Sequence, residues 1–127
     1  MGGALDSSRF KYFLSQAIGC NANEVEGMVI GGHGDTTMIP LTRFATYKGM
    51  PVTNFISAEK LEEVAAATMV GGATLTKLLG TSAWYAPGAA GAFVVESILH
   101  DQKQRWFLVQ YSWKANTANQ IFASVFL

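Results

Sequence analysis

Three residues in the first third of the chain are of types that could perform acid–base chemistry together. Asp6 and Arg9 lie three positions apart in "LDSSRF", and His33 follows in "MVIGGHGDTTMIPL". Glycines flank His33, so its imidazole would stand on a turn with little side-chain bulk around it. An imidazole presented in this way can exchange protons with a ligand near neutral pH.

A helix is expected to hold Asp6 and Arg9 on one face. Between Leu5 and Ile18 apolar residues recur every three or four positions, and Gly19 stands where a helix would end. Residues three apart on a helix are neighbours on its surface. Asp6 could therefore accept a hydrogen bond from one imidazole nitrogen, and Arg9 could bind a substrate carboxylate through two parallel N–H···O bonds.

A purely structural interpretation competes with this one. An Asp–Arg pair at this spacing is most often a solvated surface ion pair, worth about 0–1 kcal/mol. An isolated histidine after a strand is also more often structural than catalytic. Taken one at a time, the residues favour the structural interpretation, so the chemical one depends on their combination.

That combination resembles the substrate domain of the lactate/malate dehydrogenase family. "LDSSRF" followed at this distance by "GGHGDTTMIPL" is similar to two motifs of that family in the same order, and the resemblance runs from about Gly2 to Gln102. It implies that His33 and Asp6 form a catalytic pair, that Arg9 binds the substrate carboxylate, and that Ser82 lies near the substrate. The implied reaction is hydride transfer from C2 of malate to NAD, with His33 taking the hydroxyl proton.

Two further stretches are similar to the malate-specific, lactate-dehydrogenase-like branch of the family. They are the turn containing Met38 and Pro40 and the later "GTSAWYAPGAA", although Met38 also suits ordinary core packing. The enzymatic alternative is a lactate or other 2-hydroxy-acid dehydrogenase. The alternative from another class is a non-catalytic domain that binds dicarboxylates or pairs with a dehydrogenase subunit.

The remaining elements predict an α+β domain. "EVEGMVIGGHG" is typical of a strand that delivers a loop, "TMIPLTRFATYKGMPV" of a second strand with a "YKGMP" turn, and "PGAAGAFVVESILHD" of a helix with Pro87 in its first turn. Ser57 begins a long amphipathic helix, whose apolar face comprises Leu61, Val64, Thr68, Gly71, Leu75 and Leu78.

Gly71 and Gly72 fall inside this long helix. Each costs about 1 kcal/mol relative to alanine in a helix interior. Either another group approaches the backbone closely at this point, or the helix kinks. The sequence leaves these two explanations equally open.

The residue composition of the chain limits the classes of partner that it is expected to bind. The 127 residues make one ordinary domain, and nine acidic side chains balance nine basic ones, so neither nucleic acid nor a membrane is expected as a partner. Cys20 is the lone cysteine, which excludes a disulfide framework and a cysteine-based zinc site. No metal site is predicted, and the expected location is the cytoplasm.

Two departures from the family pattern predict an incomplete domain. No G-x-G-x-x-G turn for NAD occurs, so the resemblance places NAD binding mainly in a domain outside this chain, with homo-oligomers expected of the full-length enzyme. Residues 1–104 are expected to form a partial substrate domain that lacks the final strands and helix and is inactive alone. Residues 105–127 match nothing in the family, but a shifted reading of their codons can yield "EGEYGQSDICIGVP", so we expect a frameshifted tail.

Overall fold

The computed structural model describes residues 1–102, and the predicted frameshifted tail lies outside them. Their helices are α1 (Gly2–Ile18), α2 (Ala58–Leu79) and α3 (Tyr85–Leu99). Their strands are β1 (Val25–Glu26), β2 (Val29–Gly31), β3 (Met38–Pro40), β4 (Thr46–Tyr47) and β5 (Met50–Pro51). Every strand pair in this part of the chain is antiparallel, in sheets ordered β1-β4-β5 and β2-β3. The predicted α+β class is confirmed.

The predicted helices are present, with some shifted ends. Helix α1 begins three residues before Leu5, because the Met1 carbonyl accepts hydrogen bonds from the first turn, and it ends with Gly19 in a left-handed conformation at φ 80°. The Ser57 side chain caps α2 by accepting a hydrogen bond from the Lys60 amide. Helix α3 starts two residues before Pro87, which lies in its first turn as predicted.

Both predicted strands are wrong as continuous elements. The first is split between β1 and β2 at Gly27, where a Cβ atom would lie 2.8 Å from Cδ1 of Phe10 on α1. The second is split because Thr42–Phe44 form a 3-10 turn that separates β3 from β4. The strand pieces therefore belong to two small sheets, and α1 packs closely against the first break.

The predicted "YKGMP" turn is confirmed as a hairpin between β4 and β5. Lys48 and Gly49 both adopt positive φ at its tip, as two-residue hairpin turns require. The Lys48 ammonium lies 3.0 Å from a carboxylate oxygen of Glu24 and ties the hairpin to the segment before β1. This hydrogen bond lowers the pKa of Glu24 and raises the pKa of Lys48.

The core lies between α1, the strands and the first half of α2. The buried residues of this core are Phe10, Leu14, Val25, Val29, Met38, Ala45, Val52, Leu61 and Val64. Met38 is only 3% exposed, so the packing role is the one the structure assigns to it. Because Phe10 and Leu14 are fully buried, the rotation of α1 is fixed, and with it the direction of Asp6 and Arg9.

The predicted apolar face of α2 is buried only over its first half. Leu61, Val64 and Thr68 are buried, whereas Leu75 and Leu78 are 41% and 79% exposed. In residues 1–102, the helices are all too short or too polar to span a bilayer.

Candidate active site

Helix α1 carries Asp6 and Arg9 one turn apart and buries the carboxylate. Asp6 is 1% exposed, and its Oδ1 lies 3.2 Å from Nη1 of Arg9. A buried carboxylate is costly unless its oxygens are paired. The pair is therefore not the solvated surface ion pair that the spacing alone favours.

The turn after β2 brings His33 to the same carboxylate. Nδ1 of His33 lies 2.7 Å from Oδ2 of Asp6, so each oxygen of Asp6 serves a different partner. Because a carboxylate only accepts, Nδ1 of His33 is the donor in this hydrogen bond. The His33 side chain is 47% exposed, and Nε2 is the nitrogen left to exchange a proton with a ligand.

Thr37 shapes the turn that presents His33. Its carbonyl accepts a hydrogen bond from the Gly32 amide, and its hydroxyl accepts one from the Gly34 amide. Gly31 adopts φ 87°, and a Cβ atom on it would overlap the Thr37 carbonyl oxygen. Only glycine fits at Gly31, so the glycines before the histidine are required by the turn itself.

Arg9 is held by α2 as well as by Asp6. Its Nη1 lies 3.4 Å from the carbonyl oxygen of Thr68, a residue that is fully buried. Its Cδ passes over Gly71, where a Cβ atom would lie only 2.8 Å away. Of the two explanations for the helix glycines, close approach of another group is therefore the correct one.

Sequence reasoning missed two contacts that support the site. The Ser7 hydroxyl accepts a hydrogen bond from the Val29 amide at 3.0 Å and ties α1 to β2, which leads to His33. A Cβ atom on Gly2 would lie 3.1 Å from Cγ of the His33 ring, so Gly2 lets the ring pack on the start of α1. Ser7 lies between Asp6 and Arg9 in the motif, and that position was the one available indication of its role.

Ser82 is the fourth predicted site residue. In the described part of the chain, no hydrogen bond links it to the other three. It lies exposed in the link between α2 and α3. Within residues 1–102, no three His, Cys, Asp or Glu side chains converge as metal ligands would.

Known proteins share this arrangement of elements. The family model for the lactate/malate dehydrogenase α/β C-terminal domain matches residues 3–125 of this chain. A malate dehydrogenase of Bacteroides thetaiotaomicron is 96% identical over 104 residues, which are 82% of this chain and 33% of that protein.

Solved structures of both kinds of dehydrogenase superpose on the chain. The malate dehydrogenase of Salinibacter ruber gives a TM-score of 0.78 at 42% identity, covering 83% of this chain and 34% of that one. The lactate dehydrogenase of Eimeria maxima, solved with NADH and oxamate, gives 0.79 at 37% identity, covering 84% and 34%. The chain thus spans about a third of the length of these relatives. It belongs to the lactate/malate dehydrogenase family, of which it carries the α/β C-terminal domain.

Proposed function

We propose that this chain supplies the substrate-binding and proton-transferring part of an NAD-dependent malate dehydrogenase. The observation that carries the proposal is the buried Asp6 carboxylate, which joins the His33 imidazole to the Arg9 guanidinium. The two side chains lie beside one another on this carboxylate. This supports a proposal in which His33 exchanges a proton with a 2-hydroxy acid and Arg9 binds the carboxylate of that acid. The 96% identity to a malate dehydrogenase favours malate over lactate.

In this proposal, Nε2 of His33 accepts the proton of the malate C2 hydroxyl while the C2 hydride leaves. Asp6 stabilises the imidazolium that forms and holds the tautomer with Nδ1 protonated. In the reverse direction, imidazolium His33 protonates the carbonyl oxygen of oxaloacetate. Arg9 binds a substrate carboxylate with Nη2 and a second N–H, and Ser82 is proposed to lie near the substrate once the site is closed.

A nicotinamide dinucleotide supplies the hydride acceptor in this chemistry. The half-exposed edge of His33 fits the substrate side of such a site. The 127 residues contain no G-x-G-x-x-G turn, so we assign none of them to binding the dinucleotide.

The same proposal extends to the rest of the protein. A homo-oligomeric full-length enzyme is supported by apolar side chains that α3 leaves exposed, among them Val95 and Ile98. The lone Cys20 is consistent with the reducing cytoplasm. We also propose a boundary at residue 104 followed by an out-of-frame tail. The match to the Bacteroides relative covers 82% of the chain, and the family model covers residues 3–125. DNA sequence across this boundary tests it, because the shifted frame must encode "EGEYGQSD".

The experiment uses a grafted dehydrogenase. In it, the 104 matching residues of this chain replace their counterparts in the Bacteroides thetaiotaomicron malate dehydrogenase. The unsubstituted graft is expected to oxidise malate. In Arg9→Ala, KM for malate should rise about 100-fold or more, because a charge-assisted, bidentate contact worth about 3 kcal/mol is lost.

The control for this substitution is Arg43→Ala. Arg43 lies in the 3-10 turn after β3 and packs over the Phe44 ring, so its removal should leave KM unchanged. Equal KM values for the Arg9 and Arg43 variants would exclude Arg9 as the group that binds the substrate carboxylate.

A further inference from the structure

The Arg9 side chain lies lengthwise across two adjacent glycines of α2. A Cβ atom on Gly71 would lie 2.8 Å from Cδ of Arg9 and 3.3 Å from Cε2 of Phe13. A Cβ atom on Gly72 would lie 3.2 Å from Nη2 of Arg9. One glycine therefore lies under the aliphatic part of the side chain, and the other lies under the guanidinium.

The backbone of α2 gives no other reason for these glycines. The helix runs as one element from Ala58 to Leu79, and neither Gly71 nor Gly72 has a positive φ. Alanine would be the better residue for the helix alone, since it is favoured over glycine in helix interiors. What the glycines provide is space, and Arg9 occupies it.

We infer that Gly71, Gly72 and the Thr68 carbonyl form a seat that positions the Arg9 guanidinium for the substrate carboxylate. This inference rests on the proposed function. Nη1 of Arg9 donates to two acceptors. The Thr68 carbonyl oxygen of the seat lies 3.4 Å away, and Oδ1 of Asp6 lies 3.2 Å away. The direction of Nη2 is then set by how deeply the side chain sits on the glycines.

The two positions differ in what a methyl group would do. At Gly71 it would collide with Cδ, which cannot move without lifting the whole side chain away from α2. At Gly72 it would meet the flexible end of the side chain at a longer distance, which a small rotation relieves. Gly71 is therefore the stricter positioning residue.

The test is steady-state kinetics on the grafted dehydrogenase carrying Gly71→Ala, Gly72→Ala, Gly88→Ala or Arg9→Ala. Gly88 on α3 is the matched control, because a Cβ atom there would meet nothing within 4 Å. We expect Gly71→Ala to raise KM for malate about tenfold, corresponding to roughly one charge-assisted hydrogen bond, with kcat within about threefold of the parent. Gly72→Ala should give a smaller rise in KM, and Gly88→Ala none.

Thermal unfolding separates positioning from a general loss of structure. A role limited to the helix predicts an equal or higher Tm and an unchanged KM for Gly71→Ala, and that result would overturn the inference. A raised KM with a parental Tm supports it. Should Gly71→Ala fail to fold, Gly72→Ala decides, and a KM equal to that of Gly88→Ala would then overturn the inference. If Arg9→Ala itself leaves KM unchanged, the proposed function fails rather than the seat alone.

Discussion

Replacing His33 with alanine in the grafted dehydrogenase is expected to lower kcat for malate oxidation by about 10²–10⁴-fold, the usual contribution of a positioned acid–base group. The hydroxyl proton of malate then has no acceptor except water. Binding should change far less, because Arg9 remains in place on α1 and α2. Stopped-flow measurement of NADH formation in a single turnover checks the effect on the chemical step itself.

The matched control is His100→Ala. His100 is the other histidine of the chain and lies exposed at the end of α3. The His100→Ala variant should turn over malate at the parental rate. A His33 variant as fast as the His100 variant would remove His33 from the mechanism.

Replacing Asp6 with asparagine should lower kcat by about 10²-fold or more, although the side chain keeps its size. Asp6 accepts from His33 with one oxygen and from Arg9 with the other, whereas an amide has only one acceptor oxygen. Either the imidazole is held in the wrong tautomer, or an amide N–H faces the guanidinium. An asparagine in place of the triad aspartate of serine proteases is costly for the first of these reasons.

The nitrogen-15 shifts of the His33 ring, measured on the same variant, report which tautomer is present. In the parent they should show Nδ1 protonated in the neutral ring. A Glu26→Gln variant serves as the control, because Glu26 in β1 is exposed and takes part in neither contact. Should Asp6→Asn keep both the parental tautomer and the parental kcat, Asp6 would have no part in proton transfer.

The sequence predicted the helices because their determinants are local. Gly19 ends α1 and Ser57 caps the start of α2. The apolar spacing of Phe10 and Leu14 defines the buried face of α1. The strands were predicted poorly because they are two or three residues long and are set by tertiary contacts. Phe10 breaks the first at Gly27, a contact between residues that are distant in sequence.

The candidate site shows the same division. Asp6, Arg9 and His33 could be named because their motifs resemble those of a family, and spacing placed two of them on one helix face. The burial of Asp6, which distinguishes its ion pair with Arg9 from a solvated surface pair, arises only when α1 packs against β2 and α2. Thr68, whose carbonyl belongs to the glycine seat on α2, is 59 residues from Arg9 in the sequence. No local sequence pattern links the seat to Arg9.

Whether Asp6 and His33 work as one catalytic unit is tested by a double-mutant cycle in the grafted dehydrogenase, which compares kcat for His33→Ala, Asp6→Asn and the double variant. If Asp6 acts on the chemical step through His33, no proton transfer is left for the carboxylate to assist once the imidazole is gone. Its ion pair with Arg9 remains, and we expect that contact to affect KM rather than kcat. We expect the double variant to be about as slow as His33→Ala alone. If the two losses multiply, so that the double variant is slower by the full Asp6→Asn factor, the two residues act independently and Asp6 does not work through His33.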